Sequence, residues 1–167
     1  LWCSQFLKDS SKEIQNAARA VMGAVLQRME FTQLKFLAEK LASMLLESQA
    51  DSTGAASTTR KQNIVVALAI LAYKQPKAVD GRIASITAMG LIEILERGGQ
   101  QHTTAISLLG DGYAIWQYYI PDTSGFCRQL FQLSLPALSA RNLGKNIVNA
   151  SEKEMIASDA LQAFINM

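Results

Sequence analysis

Apolar residues recur along this chain at steps of three and four almost throughout, the period of one face of an α-helix. Ile14, Ala17, Ala18, Val21, Val25 and Met29 make the first such stripe, and Ser10 with Glu13 forms a capping box at its start. A second helix is expected from near Thr32, with Leu34, Leu37, Ala38, Leu41 and Leu45 inward. The small, polar stretch from Glu47 to Thr59 reads as a loop. From Arg60 to Tyr73 the apolar run goes all the way round, which predicts a third helix buried on most sides and ended by Pro76. A buried strand is the rival there for its β-branched content, but Gln62, Asn63 and the alanines favour helix.

A fourth helix is predicted over about Asp80 to Arg97, with Ile83, Ile86, Gly90 and Ile94 on one face and Gly98-Gly99 as its stop. The fifth runs from about Gln101 to Tyr118 and is broken by Pro121, after which a short sixth begins. Pro136 to Ala150 is expected to be irregular. Ser151 and Glu154 form another capping box, opening a last helix with Ile156, Ala160, Ala163 and Phe164 inward.

About seven helices follow, and the fold class is all-α. Residues 1–167 form a single helical repeat region, with helix pairs at approximately 10–47, 61–97 and 101–133 and a last helix at 151–166. Helix-pair repeats of the HEAT or armadillo type have units of about 40–47 residues, close to this spacing. An irregular α-solenoid is therefore the leading expectation, and a closed helical bundle is the alternative.

Charge narrows the function classes. Charged residues are 18% of the chain, below the usual quarter or so, and the net charge is only +2. That shortage points to extra buried surface, inside the fold or against a partner. Basic residues are scattered, with no phosphate-tracking cluster, so no nucleic-acid partner is expected. The longest apolar run, ten residues from Ile64 to Tyr73, falls far short of the ~20 needed to cross a bilayer, so no direct membrane insertion is expected. Cys3 and Cys127 lie far apart, which suggests a reducing, cytoplasmic setting rather than a disulfide framework. With His102 they are the three thiol or imidazole side chains, one short of a structural zinc site, and no metal or cofactor is expected. The chain opens on Leu1-Trp2-Cys3 without an initiator methionine or signal pattern and reads as a fragment of a longer protein.

Gly110-Asp111-Gly112, followed by Tyr113, Trp116, Tyr118 and Tyr119, is the densest cluster of unusual residues. A phosphate loop needs its glycines ahead of a helix N-terminus with a Lys or Ser/Thr behind them. Here the glycines sit inside a helical pattern, no basic residue follows, and Asp111 would repel phosphate. Each interior glycine costs about 1 kcal/mol relative to alanine, so Gly110, Gly112, Tyr113 and Trp116 are read as a packing joint where a neighbour comes close. Tyr118 and Tyr119 are a possible interface, since tyrosine is a preferred interface anchor. Glu93 and Glu96 lie one turn apart beside Arg97 and read as solvated surface rather than a catalytic pair. His102 has no evident nucleophile beside it, and no catalytic residue is assigned.

The stretch from His102 to Ser134 resembles the helical region of large WD-repeat proteins of the rabconnectin beta type, as a distant member. Ala105, Ile106, Leu109, Gly110, Gly112, Tyr113, Trp116 and Tyr119 carry the likeness, and Ser151 to Ile165 is similar to that family's next Ser/Ala-rich helix. The resemblance implies a non-enzymatic scaffold. It further implies a rabconnectin alpha-type partner, peripheral subunits of the vacuolar proton pump (V-ATPase), and a place in the cytoplasm or peripherally on endomembranes and vesicles. Two other classes stand beside it. One is an α-solenoid adaptor for peptides or cargo, unrelated to the pump, which would call for a ladder of exposed Asn, Trp or acidic residues. The other is an enzyme built on His102.

Overall fold

The computed structural model describes residues 12–50, 55–97, 101–142 and 152–165. All regular structure among them is helical: α1 (Lys12–Arg28), α2 (Phe31–Ala50), α3 (Ala55–Lys74), α4 (Gly81–Arg97), α5 (His102–Asp111), α6 (Tyr113–Trp116), α7 (Thr123–Asn142) and α8 (Glu152–Ile165), with a 3-10 turn at Pro76–Ala78. The capping boxes expected at Ser10 and Ser151 fall at residues outside the described set, as do Gly98 and Gly99.

The most apolar segment lies at the centre. Nine consecutive residues of α3, Ile64 to Ala72, are buried, because α3 packs against α1, α2, α4 and α5 at once. A helix surrounded on all sides loses the polar face that surface helices keep. Leu34, Ala38, Leu41 and Leu45 of α2 turn inward as their spacing requires. Asp80 caps α4 by accepting the Ile83 backbone N–H at 2.7 Å.

The contacts between helices fall into two rows. One row is α1 on α3, α3 on α5 and α5 on α8; the second begins with α2 on α4. Between the rows, α2 packs on α3, α3 on α4, α4 on α5 and α7 on α8. Counting the short α6 with α5, each of these contacts joins consecutive or next-but-one helices. The short α6 follows on α4, while α7 lies along α8 and, among the described residues, makes no comparable contact with α4.

Four expectations are corrected. The buried face of α1 is Ala18, Met22 and Leu26, whereas Ile14, Ala17, Val21 and Val25 are exposed, the last two at 49% and 52%. Both stripes have helical period, and the contact with α3 decides which of them turns inward. The expected loop from Glu47 to Thr59 is largely helix, since α2 runs to Ala50 and α3 begins at Ala55; alanine has the highest helix propensity and extends both ends. Helix five is not continuous to Tyr118, because the chain leaves helical geometry at Gly112 with φ −100° and ψ 15°. Pro136 does not end the preceding helix: α7 continues to Asn142. Proline removes one backbone donor at a cost of about 3 kcal/mol, and the long packing of α7 along α8 offsets it.

Candidate functional site

At the α5–α6 joint, Trp116 is fully buried. Its indole N–H donates to the Leu108 carbonyl at 2.9 Å, and the same carbonyl accepts the Gly112 backbone N–H at 3.1 Å. Gly112 carries no Cβ beneath this ring, and an added one would sit 2.5 Å from Trp116 Nε1 and 3.0 Å from the Leu108 oxygen. Gly110 faces α8, where an added Cβ would run into the backbone of Ala163. Tyr113 is half-buried against the core. Tyr119 is half-buried too, its hydroxyl 3.2 Å from where a Cβ on Gly81 would stand. Tyr118 alone of this group faces solvent, 82% exposed.

A polar seam runs from α1 to α5 and α8. The Arg19 guanidinium donates from Nη2 to the buried Thr104 hydroxyl at 2.5 Å, while its Nε is buried without a hydrogen-bond acceptor. Burial pushes the Arg19 pKa below the ordinary arginine value, and the charges of Asp159 and Asp111 pull against that shift. Arg19 follows Ala18 on the inward side of α1, and this cation within an apolar stripe was the sequence signal for the seam. His102 opens α5 half-buried, and Cys127 is half-buried on α7. No group of three or more His, Cys, Asp or Glu side chains among the described residues is placed to hold a metal ion. No helix there is long and apolar enough to cross a membrane.

A groove of about 950 Å³ opens between α3, α4 and the start of α7. Its floor is the outward side of α4, with Ile86, Met89 and Ile92 giving apolar surface. One wall is the first half of α3, including Lys61 and Val65; the other is Ile120 to Gln129, including Asp122 and Phe126. Gly90 lets α3 press against α4 at the foot of the first wall, since an added Cβ would stand 2.6 Å from Val65 Cγ2. Met89 is 48% exposed inside the groove. Glu93 and Arg97 pair at 3.0 Å on its rim with both side chains more than half exposed, an i,i+4 contact worth about 0.3–0.5 kcal/mol. Asp122 accepts the Gly125 backbone N–H at 2.8 Å and so caps the first turn of α7.

Sequence reasoning did not assemble this groove. Ile86, Met89 and Ile92 do form a second apolar stripe on the fourth helix, outside its buried face, and that is the signal it left. Which walls stand beside the stripe depends on how α7 departs from α4, and periodicity carries no such information.

The fold and groove define the class as an all-helical protein with an open furrow floored by α4. Comparison with protein-family models, curated proteins and solved structures finds no match for the chain.

Proposed function

We propose that the protein is a non-enzymatic helical scaffold that binds other proteins, and that the groove floored by α4 is a docking surface. The observation that carries this reading is the open groove itself, whose floor exposes Met89 by 48% beside the half-buried Ile86 and Ile92. Exposed apolar surface gathered in a concavity marks binding sites more often than chance exposure does. The near-neighbour order of most helix contacts supports an irregular α-solenoid of HEAT or armadillo kind, while the approach of Arg19 on α1 to Thr104 on α5 and Asp159 on α8 is the feature that favours the alternative, a closed bundle.

The partner suggested by resemblance is a rabconnectin alpha-type protein together with peripheral V-ATPase subunits; the support for it is the similarity of residues 102–134 and 151–165. Affinity purification with the full-length protein tests both levels. Recovery of a partner on the wild-type protein and its loss on Met89→Asp supports groove docking. The pump proposal requires V-ATPase peripheral subunits in that partner set, and a reproducible partner set without them defeats it while leaving the scaffold.

A further inference from the structure

We infer that two copies of this chain associate through the outer face of α1, the two helices lying antiparallel about a two-fold axis at Val21. The contact is separate from the groove, whose lining includes no residue of α1 among those described.

The face is a side of a helix without charge. α1 packs on α3, with Ala18, Met22 and Leu26 buried, while Ile14, Ala17, Val21, Ala24 and Val25 on its outer side are exposed. At 3.6 residues per turn these five fall within about a third of the helix circumference, so they form one continuous strip. Between Glu13 and Arg28 the chain carries a single charged residue, Arg19, and it turns away from the strip to donate to Thr104. A helix apolar beyond its buried face is a helix to be covered again.

The ends of the strip select the occupant. Glu13 stands exposed at its start and Arg28 exposed at its end. Two such strips laid parallel set like charge against like at both ends. Laid antiparallel with Val21 on Val21, they set Ala17 of each copy against Val25 of the other. The same register brings Glu13 of each copy within one residue's rise of Arg28 of the other, so the opposite charges meet twice. Such a contact is self-complementary, as a two-fold interface requires, and it closes at two copies. Ala17 and Ala24 present only methyl groups, which lets the two backbones come close. The strip is roughly 22 Å long. One helix pair of this length buries less than about 1,200 Å², the range of weak and transient contacts, so the dimer forms on concentration and the dilute chain is a monomer.

Sedimentation equilibrium of the intact chain, from low micromolar concentration to about 1 mM, tests this. The expected result is a reversible monomer–dimer equilibrium without larger species. Val21→Lys places a cation from each copy at the axis and should raise the dissociation constant by about tenfold or more, the loss seen at interface hot spots. The thermal melt of the dilute Val21→Lys monomer should overlay the wild type. Glu13→Arg and Arg28→Glu should each weaken the dimer when made alone, and the two together should restore it. The double variant opposes the α1 dipole at both ends, so restored association cannot come from a steadier helix. A monomer at every concentration overturns the proposal, and so does a dimer indifferent to Val21→Lys. Weakening by each single charge change without recovery in the double variant overturns the antiparallel arrangement.

Discussion

Trp116 holds its place by two features that act on the same carbonyl. The Leu108 oxygen accepts both the indole N–H and the backbone N–H of Gly112, so helix α5 ends where the ring begins. Gly112→Leu must displace that ring, and overpacking of this kind costs about 1–3 kcal/mol. Chemical denaturation should show that loss, and an unchanged midpoint would remove the ring contact from the account. Gly110→Ala is the sharper change, because the obstruction is the backbone of Ala163 rather than a movable side chain. It should separate α5 from α8 and lower the melting temperature more than Gly90→Ala, which meets only the Val65 side chain. Arg19→Met removes a half-buried cation together with its hydrogen bond to Thr104. Losing that hydrogen bond from a charged donor costs about 1.5–3 kcal/mol, and Asp159 and Asp111 lose a neighbouring positive charge. Equal stability of wild type and Arg19→Met in low salt would deny the seam any structural role. At this scale the sequence was informative where spacing alone decides: Gly112 and Trp116 are four apart, so they share a face. It marked Arg19 only as a cation beside an apolar stripe, because Thr104, the other end of the bond, lies 85 residues away.

Helix existence was legible from period, while helix phase and ends were not. In α1 the stripe Ile14, Val21, Val25 competes with Ala18, Met22, Leu26, and only the contact with α3 decides between them. The structure predicts that Val21→Lys changes stability by no more than about 0.5 kcal/mol, as exposed positions do. Met22→Ala should cost about 2–5 kcal/mol, as buried methionines do. Reversed magnitudes in paired denaturation curves would restore the other face. Proline 136 teaches the opposite lesson about local rules. A residue that ends isolated helices sits within α7 because α8 lies alongside, so tertiary packing outweighs propensity.

For the molecule as a whole, the all-helical class follows from periodicity, and the near-neighbour order of contacts accords with helices joined by short connections. The groove is a property of no single helix. Its floor, walls and charges come from segments 60 residues apart in the chain, and it exists because α7 turns to α8 instead of packing on α4. The same geometry sets three candidate surfaces against each other: the groove, the exposed Tyr118, and the apolar stripe Ile14, Val21, Val25 on α1. Backbone amide shifts of the isotopically labelled chain, followed by NMR as a purified partner is added, separate them in one experiment. The account predicts shifts at Lys61, Met89, Glu96 and Gly125, on the floor and both walls of the groove. Shifts confined to Tyr118 and Tyr119, or to α1, with the α4 amides unmoved, would contradict it.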